Sequence, residues 1–132
     1  VDFDETLATK PKDLLRIVFV GPGKTVYAAE IENSLRAKQR AVGGMIEAVS
    51  NGDGTLIVCN EEGKLIGLPA NRRLAGGADI LVGNFFVIGE DGADFRSLTD
   101  EEIQKYTARF AEPEEIADEE VEASTYTKFI PE

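Results

Sequence analysis

Three runs in this chain are apolar at nearly every position: LLRIVFV at 14–20, TLIVCN at 55–60 and ILVGNFFVI at 80–88. A strand with one wet face alternates apolar and polar residues, so runs without alternation must be covered on both faces. Only two segments carry clear helix signals, and two helices hardly suffice for that. The expected fold is α+β: a mainly antiparallel sheet of about five strands, with two hairpins and two helices. To hide its second face, the sheet either curls into a partial barrel or lends that face to a partner subunit in a homodimer.

The first hairpin joins LLRIVFV to TVYAAEI (25–31) through Gly21–Lys24, and the second joins MIEAVS (45–50) to TLIVCN through the Asn-Gly-Asp-Gly turn at 51–54. NSLRAKQRAV (33–42) reads as a short helix, with Asn33 as N-cap and Gly43 beyond its end. DILVGNFFVIGE (79–90) is the longest strand candidate. SLTDEEIQKYTARF sets Thr99 and Glu102 at capping-box spacing, with apolar residues at 103, 106 and 110, which predicts a helix over 99–110. Residues 1–13 form an N-terminal extension, 14–110 a single domain, and 111–132 an acidic tail or a short docked helix.

The formal net charge of −11 raises the idea of a DNA mimic, but its distribution argues otherwise. Residues 1–13 carry −2, residues 14–110 carry −2 and residues 111–132 carry −7, so the folded body is nearly balanced. Direct nucleic-acid binding is not expected either. The chain has no histidine and one cysteine, Cys59. That composition excludes Ser-His and Cys-His nucleophile pairs, an internal disulfide and most transition-metal sites. Together with an acidic start, VDFDETLATK, that is unlike a signal peptide, it points to a cytoplasmic protein without a membrane span, metal or cofactor.

Three motif matches fail on their context. Gly23-Lys24-Thr25 ends a phosphate-loop pattern, but Val18 stands where its first Gly belongs, and a strand-like run follows where a helix should open. Asp2 and Asp4 match an Asp-x-Asp-x-Thr phosphatase motif, without the hydrophobic strand that would position the nucleophile. Asn51, Asp53, Thr55 and Glu62 fall at calcium-loop spacings, yet Leu56 takes the place of the obligatory Gly. No catalytic residues are assigned, and the chain is read as a non-enzyme.

What remains is NEEGKLIGLPANRRL at 60–74, where Asn60, Glu62, Asn71, Arg72 and Arg73 crowd a turn-rich stretch. Guanidinium forks bind carboxylate or phosphate, and Asn side chains orient ligands or tie loops down. Two readings stay open: recognition of a protein partner or small anionic ligand, or internal pairing of an Arg with Glu61, Glu62 or Asp79.

This stretch, with RIVFVGPGK, VGGMIEAV, DILVGNFFVIGEDG and FRSLTDEEIQKY, resembles a family of domains of unknown function found in phages, plasmids and other mobile elements of Gram-positive bacteria. The resemblance covers roughly residues 14–110 and carries no activity or catalytic residue. It implies a binding or accessory module of a mobile genetic element. The alternatives are an anion-binding site at Asn71–Arg73 and, with least support, an acidic anti-restriction protein.

Overall fold

A computed structural model describes residues 13–74 and 79–129; the N-terminal extension, with Asp2 and Asp4, lies outside the described residues apart from Asp13. Eight strands and three helices follow one another among those residues. The first three elements are β1 (Leu14–Val20), β2 (Tyr27–Glu32) and α1 (Leu35–Val42), followed by β3 (Ile46–Ser50) and β4 (Thr55–Asn60). Then come β5 (Ala70–Leu74), β6 (Asp79–Val82), β7 (Phe85–Asp91), β8 (Asp94–Arg96), α2 (Asp100–Arg109) and α3 (Asp118–Phe129). The main sheet is antiparallel in the order β2-β1-β7-β4-β3, with β8 paired to β7, while β5 and β6 form a separate two-stranded sheet.

The non-alternating runs sit where their composition requires. β7 lies at the centre between β1 and β4, and its Phe85, Phe86, Val87 and Ile88 are fully buried. Phe85 and Val87 join Val18, Val20 and Ile57 on one face, under Tyr106 and Phe110 of the α2 region and Leu81 of β6. Phe86 and Ile88 join Ile17, Ile31 and Val58 on the other, under Val42, Ala37 and Ala41 of α1. The sheet does not close into a barrel. The β5–β6 hairpin shares one face with α2, which supplies the cover that two helices alone could not.

Three details differ from the sequence reading. The N-cap of α1 is Ser34, whose Oγ accepts from Ala37 N–H at 3.1 Å; Asn33 Oδ1 instead accepts from the buried Lys38 ammonium at 2.7 Å. The 79–90 run is two strands, because Gly83 adopts a left-handed φ of 70° and turns the chain between β6 and β7. Part of the expected loop at 60–74 is strand β5, paired to β6 with a bulge near Asn71. The α2 capping box is present as expected, with Thr99 Oγ1 accepting from Glu102 N–H (3.1 Å) and Glu102 Oε1 accepting from Thr99 N–H (3.0 Å). Beyond it α3 packs on β6, and Lys64 Nζ, in the turn after β4, donates to Ser124 Oγ at 3.2 Å.

The turn at Gly83 is locked by Leu68, since a Cβ at Gly83 would lie 2.6 Å from Leu68 Cδ1. Gly83→Ala combines that overlap with an unfavourable φ, and is expected to cost about 2 kcal/mol or more. A denaturant midpoint equal to that of the wild type would show that Leu68 is not held against this turn.

Candidate functional site

The polar side chains of the 60–74 segment mostly turn back onto the backbone. Asn60 is buried at the end of β4, where Oδ1 accepts from Glu62 N–H (2.8 Å) and Nδ2 donates to Val42 O (3.2 Å) at the end of α1. Glu62 itself is exposed, and its carbonyl accepts from Ile66 N–H at 3.0 Å in the turn that follows. Asn71 is fully buried and joins two strand ends, donating from Nδ2 to Val20 O (3.1 Å) and Gly83 O (2.7 Å).

Arg72 has no exposed surface, and each of its five N–H donors is engaged. Nε and Nη2 donate to Phe110 O at 3.3 and 3.0 Å, Nη2 also to Lys24 O at 3.0 Å, and Nη1 to Asn71 O and Oδ1 at 3.3 and 2.8 Å. Burial pushes the guanidinium down from its ordinary value, opposed by the charge of Glu114. A cation facing the carboxyl end of α2 also meets the negative end of that helix. Arg73 points outward and grips the acidic segment: Nε and Nη2 reach Glu120 at 2.6 and 2.8 Å, and Nη1 reaches Glu114 at 2.9 Å. The hydrogen bonds it donates to Glu120, with the weaker pull of Glu114, hold the guanidinium well above its usual range. Neither arginine pairs with Glu61, Glu62 or Asp79; Asp79 binds Lys64 Nζ at 2.6 Å instead.

A cleft of about 130 Å³ lies beside this segment, between β3–β4 and the β5–β6 hairpin. Val49, Leu74, Ile80 and Val82 make its apolar wall, while Glu47, Glu61, Glu62 and Asp79 give it four carboxylates against the single ammonium of Lys64. Leu65 borders it and is 74% exposed. Of the residues singled out from sequence, Asn60 and Glu62 line the cleft; Asn71, Arg72 and Arg73 do not. Glu47 and Val49 were missed, because only the fold of β3 against β4 brings them beside residue 60. MIEAVS does not alternate apolar and polar residues, so the sequence carried no local signal that would have paired them.

A second polar cluster joins the 51–54 turn to α2. Asp53 Oδ2 accepts from Lys105 Nζ and Tyr106 Oη, both at 2.6 Å, and Oδ1 accepts from Thr55 Oγ1 at 2.6 Å and Thr55 N–H at 3.1 Å. Burial opposes the charge on Asp53, but the hydrogen bonds from Lys105, Thr55 and Tyr106 outweigh it and hold the carboxyl well below the usual carboxylate range. The cluster clamps a hairpin turn to a helix. At the other turn, Gly21 O accepts from Lys24 N–H at 3.1 Å and the chain runs on into β2, so no helix amides stand there to hold a phosphate. Among the described residues no group of three or more acidic or cysteine side chains is placed to hold a metal ion, and no helix is long and apolar enough to cross a membrane.

Residues 15–111 match a family described as a domain of unknown function (DUF3846), and the chain belongs to that family. No curated protein and no solved structure matches it.

Two predictions follow from these networks. Arg72→Ala strands a set of buried carbonyls together with Asn71 Oδ1, and is expected to lower stability by about 3 kcal/mol or more. Arg72→Lys is expected to recover little of that, because one ammonium cannot replace a fork, while Arg73→Ala is expected to leave the melting temperature nearly unchanged. Equal effects of Arg72→Ala and Arg73→Ala in chemical denaturation would contradict the division of roles. For Asp53, the folded pKa lies below the unfolded value of about 4. Its stabilisation is therefore complete above that pH and is lost as pH falls through the folded value. Melting temperatures of wild type and Asp53→Asn should converge as pH drops from 5 toward 2, and a gap that stays constant over that range would refute the assignment.

Proposed function

We propose that this member of the family is a non-enzymatic protein-binding module, and that its cleft seats a segment of a partner protein carrying a cationic and an apolar side chain. The carrying observation is the composition of the cleft: an apolar wall ringed by Glu47, Glu61, Glu62 and Asp79, with Leu65 exposed at its border. Opposite charge selects partners and speeds encounter, while desolvated apolar contact supplies affinity. The non-enzymatic reading is supported by how the polar groups are used. Asn60, Asn71 and Arg72 are consumed by backbone contacts, and among the described residues no buried side-chain polar atom lacks a partner.

The sequence resemblance around NEEGKLIGLPANRRL supports an accessory role in a mobile genetic element, and the single cysteine supports a cytoplasmic setting. A small anion at Asn71–Arg73 is favoured less, since Arg72 is enclosed and any anion at Arg73 would have to displace Glu114 and Glu120. The DNA-mimic reading is also favoured less, with the excess acid lying beyond residue 110.

Panning a random peptide library against the immobilised domain should enrich sequences that combine Lys or Arg with Leu, Ile, Val or Phe. The variant Glu61→Lys/Glu62→Lys/Leu65→Ser should bind the enriched peptides about tenfold more weakly or worse, a loss of about 1.4 kcal/mol. Enrichment of acidic peptides, or undiminished binding by that variant, would rule the reading out.

A further inference from the structure

Among the described residues β3 is an edge of the main sheet, and its one strand partner there is β4. Two bonds set the phase of that ladder: Glu61 N–H to Met45 O at 2.8 Å and Asn51 N–H to Thr55 O at 3.0 Å. Backbone groups alternate in direction along an antiparallel strand. Met45, Glu47, Val49 and Asn51 therefore address β4, while Ile46, Ala48 and Ser50 turn their N–H and C=O groups outward. The register from Ile46 to Ser50 is continuous, without a bulge or a proline. These are features that natural edges normally use to block pairing. The opposite edge is better guarded. There the bond from Asn33 N–H to Asp13 O makes Ala28, Glu30 and Glu32 the outward-facing residues of β2, and two of these are acidic.

Resting on the cleft reading above, we propose that β3 receives an extended segment of the partner protein by strand addition. The added strand pairs its backbone with Ile46, Ala48 and Ser50. Side chains of neighbouring strands align on each face with a period of two. The two positions of the added strand that lie opposite Glu47 and Val49 therefore share the cleft face and are separated by one residue. The charge of Glu47 selects Lys or Arg at the first, and Val49 selects an apolar side chain at the second. This commits the occupant to a cation-x-apolar or apolar-x-cation pattern, according to strand direction. A second copy of this chain is the poorer occupant, since it would bring another Glu47, Glu61 and Glu62 to an edge that is already acidic.

The test uses the full chain and the tightest peptide from the library. Amide hydrogen exchange at Ile46, Ala48 and Ser50 should slow at least about tenfold on binding, with Glu47 and Val49 little changed. N-methylation of alternate peptide amides should abolish binding in one phase and spare it in the other, which leaves the protein untouched. Ala48→Pro removes an outward N–H that the β3–β4 ladder does not use, a position where edge strands accept proline. It should melt like the wild type and lose the peptide. If peptides bind, depend on Glu61, Glu62 and Leu65, and tolerate both N-methylation phases, the cleft reading stands and strand addition is overturned. If no peptide depends on those residues, both fall. Concentration-dependent protection of the same amides without peptide would identify a second copy as the occupant and overturn the proposal.

Discussion

One buried guanidinium ties together parts of this fold that lie far apart in the sequence. Arg72 gathers the carbonyl of Lys24 from the first hairpin turn, that of Phe110 from the end of α2, and both oxygens of Asn71, while Asn71 reaches on to Val20 and Gly83. A cation without solvent is costly unless its hydrogen bonds are complete, and here they are. The same completeness makes the arrangement specific. A shift of the β5–β6 hairpin by one residue would turn the guanidinium to the other side of β5 and orphan every carbonyl it serves.

That hairpin is what the two-faced sheet requires. β7 is apolar on both sides, and α2 covers only part of its face. The remainder falls to β5 and β6, which stand against the sheet without joining it. They part from β3–β4 where the Glu61–Leu65 turn enters. The cleft is the consequence. It lies at the seam between the sheet and its cover, and its acids come from both sides of that seam.

Much of the frame was legible in the sequence because it depends on neighbours in the chain. The Asn-Gly-Asp-Gly turn, the Thr99–Glu102 box and the unalternating runs at 14–20 and 55–60 each produced the element expected, while the run at 79–90 gave two strands in place of one. β5 was hidden because ANRRL has no strand-forming side chains; its conformation comes from β6 and from Arg72, a tertiary effect. Gly83 was hidden because an apolar run looks the same whether or not it turns midway. At the site, the clustering of Asn60, Glu62, Asn71, Arg72 and Arg73 was visible, but their division was not. The partners of Arg72 and Arg73 lie 38 to 48 residues away in sequence, apart from Asn71. No local pattern ranks Glu114 above Glu61 as the mate of an arginine.

The charge distribution gains a meaning once the arginines are placed. Arg73 holds Glu114 and Glu120, so the most acidic part of the chain is drawn onto the β5–β6 hairpin, and Lys64 of the turn after β4 touches Ser124. Lys64 belongs to the cleft as well. The acidic helix therefore touches the border of the cleft at Ser124, whose Oγ lies 3.2 Å from Lys64 Nζ. Its field raises the local concentration of cations around it and repels anions. The tail, which adds little to the core, then has a physical role on the outside: it extends the sign of the cleft beyond its own four carboxylates.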